Sequence, residues 1–275
     1  MISQTRCVEL AAQCTSFRCD VLREIHDIQS GHPGGSLSVC EILAVLYLEH
    51  AHICPQDPAN PDQDRVVLCK GHAAPMLYRV LAERGFFPKE ELASLRRINS
   101  RLQGHPCTHT PGVDMPSGPL GIGLAAAQGM ALGMRLNGLD RYVYAILGDG
   151  ELNEGTVWET AMSAPKFKLD HLIAVVDRNR VQLDGTVDQI MPTEPLADKW
   201  TAFGWNVLTC DGHDIAALDQ AFTAAKANKS RPTVILAETV KGKGVSFMEG
   251  KNTWHGQAIS DENLALALQE LGGTK

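Results

Sequence analysis

No CxxC pair occurs in this chain, although it holds eight cysteines (Cys7, Cys14, Cys19, Cys40, Cys54, Cys69, Cys107, Cys210). That excludes zinc-ribbon and thioredoxin-type motifs. The apolar surroundings of most of these residues read as reduced, mostly buried thiols. No basic run or stripe is present: 25 Lys and Arg against 32 Asp and Glu leave a net charge of −7. Nucleic acid and anionic lipid are therefore not expected as main partners, and any anionic ligand must be drawn in by local geometry or a metal. No stretch approaches a membrane span, and the opening MISQTRCVELAAQC has no apolar core of signal-peptide length, so a cytoplasmic protein without membrane contact is expected. Internal repeats and low-complexity tracts are also missing.

What is present is an ordinary globular composition: 275 residues, 44% hydrophobic and 21% charged, enough for one large α/β domain or two small ones. Val8, Leu10, Ala11, Cys14, Phe17, Val21, Leu22 and Ile25 recur at helical spacing, and a second helix is expected from Ser36 or Ser38 through Tyr47. Between them lies SGHPGG, which helix logic does not explain. RVVLCKGHAA reads as a strand, a loop and the start of a helix, and residues 101–118 as an irregular loop. The small residues from Gly123 to Met134 suit a helix packed closely on other backbone. Strands are expected at 142–147, 171–177, 205–210 and 232–238, alternating with helices at 155–165, 194–203 and about 214–228, and NLALALQELGG reads as a closing amphipathic helix. Apolar strands alternating with helices imply an α/β fold, a doubly wound, mainly parallel sheet with helices on both faces. Ligands of such sheets sit at the carboxyl ends of the strands.

The strand YVYAIL runs straight into GDGELNEG. Gly148 and Gly150 let backbone approach closely, and Asp149 offers an anionic oxygen to a hard cation beside a phosphate group. The following strand ends in DRNRVQLDG, where Asn179 offers an amide oxygen and Val181 a backbone carbonyl. Mg²⁺ takes oxygen ligands octahedrally and shares them with phosphates, so these three groups leave room for two phosphate oxygens and a water. Gly-Asp-Gly alone is equally a tight turn. Its pairing with Asn179 at the end of the next strand resembles the signature of thiamine-diphosphate enzymes.

Four of the ten histidines stand in glycine-flanked loops: His32 in SGHPGG, His72 in CKGHAAP, His105 in LQGHPC and His255 in TWHGQ. Small neighbours leave an imidazole free to reach a ligand. The same segments resemble the transketolase family: SGHPGGSLS, CKGHAAPMLY, GHP followed by TPGVDMPSGPLGIG, GDGELNEG, DRNRVQLDG and VKGKGVSFME…WHG stand in that family's order over nearly the whole chain. The resemblance implies a single diphosphate-binding domain over 1–275, with a helical N-terminal extension at about 1–30, and thiamine diphosphate held through Mg²⁺, for which Ca²⁺ or Mn²⁺ would substitute. It further implies that His32 and His255 contact the ketose and assist proton transfer, that His72 and His255 approach the diphosphate, and that His105 bonds the sugar's terminal hydroxyl. Gly118, Leu120, Gly150 and Asn179 would line the cofactor, and Glu154 would lie at a subunit interface between two cofactors. HAHIC and HPCTH carry soft metal ligands, but their spacing fits no zinc-finger pattern, and no structural zinc is expected.

In that family the glutamate that activates the cofactor's aminopyrimidine ring lies on a second domain, with the ring's aromatic pocket and the arginines for the sugar phosphate. The sequence stops soon after the diphosphate-binding half, so the expectation is the N-terminal subunit of a split transketolase. It would work in an α₂β₂ assembly with a partner carrying the pyrimidine-binding domain, and pass a two-carbon unit from a ketose or ketose phosphate to an aldose. Two alternatives stay open. One is another thiamine-diphosphate enzyme half, of the 1-deoxyxylulose-5-phosphate synthase or 2-oxo-acid dehydrogenase α type. The other is a non-catalytic cofactor-binding module, although GPLGIG follows a loop and so fails as a dinucleotide fingerprint.

Overall fold

A computed structural model of the chain describes residues 1–273. Five strands form one sheet: β1 (Arg65–Leu68), β2 (Val143–Gly148), β3 (Leu172–Arg178), β4 (Asn206–Asp211) and β5 (Thr233–Glu238). Their spatial order is β1-β2-β3-β5-β4, and every neighbouring pair is parallel. The helices are α1 (Gln4–Ile28), α2 (Pro33–Ser38), α3 (Cys40–Val45), α4 (Ala74–Arg84), α5 (Ile122–Leu136), α6 (Gly155–Lys166), α7 (Val187–Ile190), α8 (Leu196–Ala202), α9 (Ile215–Ala227) and α10 (Asp261–Glu270).

Alternation along the strands divides the core in two, because successive side chains leave opposite faces of a sheet. Val66, Tyr144, Ile146, Ile173, Val175 and Ile235 pack beneath α1, α3, α4 and α9. Val67, Val143, Ala145, Leu147, Val176 and Leu236 pack beneath α5, α6 and α8. Helices thus cover both faces, as the strand pattern implied. The helix expected within 1–30 is α1, and its stripe Leu10, Cys14, Phe17, Val21, Leu22 and Ile25 is buried in the first of these cores.

Three local readings shift. The second helix begins at Pro33 instead of Ser36 or Ser38, inside SGHPGG, with proline in its first turn. Proline's fixed φ suits that position, and its missing N–H is unneeded there. The helix breaks at Val39, resumes as α3 and ends in a widened π turn over Leu46–His50. The expected helix at 194–203 is shorter, as Pro195 stands at its N-cap. β4, read as an apolar strand, is a half-exposed edge. Among the described residues no helix is long and apolar enough to cross a membrane.

Candidate functional site

The turns that follow β1, β2, β3 and β5 meet at one end of the sheet. β1 leads through Lys70 into a single 3₁₀ turn, Gly71–Ala73, that carries His72. β2 ends at Gly148 and delivers Asp149, β3 delivers Asn179, and β5 leads to Lys241. They border a cavity of about 240 Å³ whose wall includes Asp149, Gly150, Asn179, Val181, Lys241 and His255. A cavity of about 270 Å³ lies at the amino ends of β2 and β3, around Arg135, Arg141 and His171, and takes in none of the glycine-flanked histidine segments.

The four glycine-flanked histidines come together although they span most of the chain. Ring centroids are 5.4 Å apart for His32–His72, 5.9 Å for His32–His105, 5.4 Å for His32–His255 and 4.9 Å for His72–His255. Gly118 stands beside His105, since a Cβ built on it would lie 3.8 Å from Cδ2. Leu120 and Glu154 also border the cavity, on its exposed rim.

Three oxygen donors of the type a hard cation takes border the same cavity: the Asp149 carboxylate, the Asn179 amide and the Val181 carbonyl. The Asp149 carboxylate is 2% exposed and accepts the Arg180 N–H at 2.7 Å. Asn179 Oδ1 accepts the Val181 N–H at 3.1 Å, and Lys241 Nζ lies 3.4 Å from the Val181 carbonyl. Gly150 is tightly confined: a Cβ there would stand 2.7 Å from Cβ of Gln182. Burial pushes the Asp149 carboxyl up to about 6, against the pull of Arg180. A bound cation would favour its ionised form.

The surrounding charges are those of a site that receives an anion. Burial, with Lys70 nearby, lowers the Lys241 ammonium to about 8. Burial lowers His255 to about 3 and His32 to about 4, with Lys241 adding to the first and Arg96 to the second. His72 is driven well below its ordinary value, first by burial and then by Lys70. The imidazoles are therefore neutral at pH 7. Lys241 Nζ lies 2.9 Å from His255 Nδ1, so the ammonium donates there and the imidazole proton sits on Nε2. Oxygen donors beside two lysines and neutral imidazoles fit a divalent cation carrying a diphosphate.

A model of the transketolase thiamine diphosphate binding domain matches residues 11–275. The chain belongs to the transketolase family. It is 45% identical to a 6-deoxy-6-sulfo-D-fructose transketolase subunit from Clostridium sp. (strain MSTE9), over 96% of each protein. It is 36% identical to an apulose-4-phosphate transketolase subunit from Phocaeicola vulgatus, over 95% of this chain and 93% of that one. Human transketolase is 42% identical over 88% of this chain, which there corresponds to 38% of the protein. Among solved structures, Campylobacter jejuni transketolase superimposes with a TM-score of 0.91 at 31% identity, over 99% of this chain and 43% of that one. The chain thus spans less than half of the solved transketolases it matches.

Sequence reasoning missed the polar layer beneath the cavity. Lys70 and Asp177 form an ion pair at 1% and 0% side-chain exposure. Lys70 also donates to the Gly35 carbonyl at 3.0 Å, while Ser38 Oγ donates to Asp177 at 2.6 Å and Thr239 donates to its other oxygen. Burial alone would raise the Asp177 carboxyl, but Lys70 and the two hydroxyls hold it below its ordinary value. This layer ties α2, β1, β3 and β5 together under the histidines. Lys70 and Lys241 stand beside glycines within CKGH and VKGKG, a signal that was available; Asp177 closes an apolar strand and gave none.

Proposed function

We propose that this chain is the N-terminal, diphosphate- and Mg²⁺-binding subunit of a two-chain transketolase, which moves a two-carbon unit from a ketose or ketose phosphate to an aldose or aldose phosphate. The observation that carries this is the meeting of Asp149, Asn179 and Val181 oxygens with His32, His72, His105 and His255 at one cluster of strand ends. Thiamine diphosphate, when bound, supplies the electron sink for cleaving the bond between C2 and C3 of the ketose.

The chain's own residues would hold and orient. Asp149, the Asn179 amide oxygen and the Val181 carbonyl would hold the metal, and Ca²⁺ or Mn²⁺ would be able to replace Mg²⁺. Lys241 and His72 would hold the diphosphate, and so would His255, whose Nε2–H is a donor set by Lys241. Gly118, Leu120 and Gly150 would line the cofactor. His32 and His105, neutral because burial and Arg96 disfavour their charged forms, exchange hydrogen bonds with the sugar hydroxyls and carbonyl. His32 and His255 would pass a proton to and from the substrate oxygen. Glu154, exposed on the rim, would face a second copy.

A partner polypeptide would bring the pyrimidine-binding domain, giving an α₂β₂ assembly. Two relatives matched along nearly their whole length are themselves named as subunits, which supports this part of the reading. Their substrates are named as a sulfonated fructose and a phosphorylated apulose, so acidic ketoses are proposed here. Eight free cysteines support a cytoplasmic setting.

The test is reconstitution. The purified chain mixed with its partner should transfer glycolaldehyde units in a reaction that needs both thiamine diphosphate and Mg²⁺. Full transfer by the chain alone would refute the split site, and CO₂ release from pyruvate by the complex would assign a 2-oxo-acid donor instead.

A further inference from the structure

Arg96 adopts a backbone φ of 57°, in the left-handed region that side chains other than glycine disfavour. Its contacts run in three directions. Its N–H donates to the Leu102 carbonyl at 2.8 Å, and Nη1 donates to Ser30 Oγ at 2.6 Å. The guanidinium lies so tightly on Gly104 that a Cβ there would stand 2.4 Å from Nη2 and 2.5 Å from Cζ. Nε is buried with no partner. Strain and an orphaned donor in one residue mark a pose held for something other than its own packing.

The two loops it joins are those of the substrate-side histidines. Ser30 stands two positions before His32, Gly104 directly precedes His105, and the two rings meet edge-on at 5.9 Å. Resting on the reading of His32 and His105 as sugar-facing groups, we propose that Arg96 is a positioning residue that brackets the Ser30–His32 and Leu102–His105 segments. The bracket sets the gap in which a donor-sugar hydroxyl is held between the two imidazoles. Any side chain on residue 104 would displace it, which gives Gly104 a steric role. The groups facing His32 are Arg96, His105, His72, His255 and Lys241. His105 faces Arg96 and His32, with Tyr78 donating to its carbonyl at 3.3 Å.

Arg96→Leu and Arg96→Lys in the full chain separate bracket from charge. With the partner present, donor KM should rise about tenfold or more in both variants, because lysine keeps the charge but cannot span the two loops. The Kd for thiamine diphosphate with Mg²⁺ should stay within about twofold of the parent, since Arg96 does not line the cavity bordered by Asp149, Asn179, Lys241 and His72. In NMR titrations of the unpartnered chain, the His32 and His105 midpoints should both rise in Arg96→Leu and hold in Arg96→Lys. His50, packed on Phe222, should not move in either. Ser30→Ala removes one arm and should raise donor KM by less. An unchanged donor KM in both Arg96 variants overturns the proposal, as does a parallel rise in cofactor Kd, which would mean general loosening. If Arg96→Leu fails to fold, Arg96→Lys alone decides through the same KM-to-Kd comparison. If the parent complex transfers no ketol unit, the functional reading falls. The ring contact then decides the bracket: cross-peaks between the His32 and His105 rings in the unpartnered chain, present in the parent and lost in both Arg96 variants, support it, and cross-peaks kept in both overturn it.

Discussion

Asp149 and Glu41 are both buried carboxylates, 2% and 6% exposed, yet their ionisation is pushed in opposite directions. Glu41 is closed off by the fold itself: Arg18 grips its two oxygens at 2.6 Å each, and His213 Nδ1 lies 2.9 Å away. Burial would raise it, but His213 and Arg18 hold it down at about 2. Asp149 receives one backbone N–H and borders a cavity, and burial lifts it to about 6. Both have lost water, and only one has been given enough partners in return. The difference separates a charge that fastens helices from one left with a single backbone partner beside an open cavity. A missing partner is not enough by itself to make that distinction, since the Tyr47 and Tyr144 hydroxyls also lack partners deep in the core. What singles out Asp149 is the coincidence of under-satisfaction, an open cavity and neighbouring oxygen donors of the type a hard cation takes.

The sharpest way to break this division is Lys70, which belongs to both kinds. It is locked to Asp177 in a fully buried pair and also lines the cavity. Lys70→Met should lower unfolding free energy by about 3–5 kcal/mol, because Asp177 is left as an unpaired buried charge. It should also weaken thiamine diphosphate binding by about tenfold or more, as a cation lining the cavity proposed for the diphosphate disappears. Urea denaturation and calorimetric titration read the two effects separately. A loss of affinity without a loss of stability would mean the pair is not a fastening at all.

Glu41→Gln should move stability alone. Arg18 is then buried without its counter-charge, and about 3 kcal/mol should be lost at pH 7, with cofactor Kd unchanged. The pH dependence has a definite sign. The folded carboxyl is depressed from 4.5 to about 2, so its contribution is complete above pH 4.5 and disappears as the pH falls towards 2. The gap between parent and variant in denaturant titrations should therefore close over that interval. A gap independent of pH would show that packing, and not ionisation, carries the difference.

Asp149→Asn should do the reverse. Mg²⁺-dependent cofactor binding should weaken by about 100-fold or more, as the anionic group proposed to hold the metal is gone. The ligand-free protein should melt no lower and, above pH 6, slightly higher. The folded carboxyl is raised from 3.8 to about 6, so its ionised form opposes folding at neutral pH. A destabilised variant would place Asp149 beside Glu41 and erase the contrast.

How far the sequence carried each region follows from the range of the forces involved. Alternating apolar runs made β2, β3 and β5 legible, and SGH, KGH, QGH and WHG exposed the histidines because glycine is a local signal. β4 reads as apolar but lies at the sheet edge, and strand order is decided by pairings that no single segment encodes. Pro33 was legible as a helix start only once SGHPGG was allowed to be partly helical. The Lys70–Asp177 and Arg18–Glu41 pairs join residues 107 and 23 positions apart, and nothing about an isolated Lys, Asp, Arg or Glu announces its partner.

Gln182 supplies the smallest expected effect and the finest test of the contrast. Its Nε2 is buried with no partner and the residue borders the cavity beside Gly150. An orphaned amide donor opposes folding when the cavity holds only water, and becomes an asset when an acceptor such as a phosphate oxygen arrives. Gln182→Leu should therefore leave ligand-free stability unchanged or raise it by up to about 1 kcal/mol, while weakening cofactor binding by roughly threefold to tenfold. The two effects have opposite signs in one residue, which no purely structural amide would give. If stability falls and affinity holds, Gln182 belongs with Glu41 among the fastenings, and the ligand-facing region is narrower than Asp149, Asn179 and Lys241 now imply.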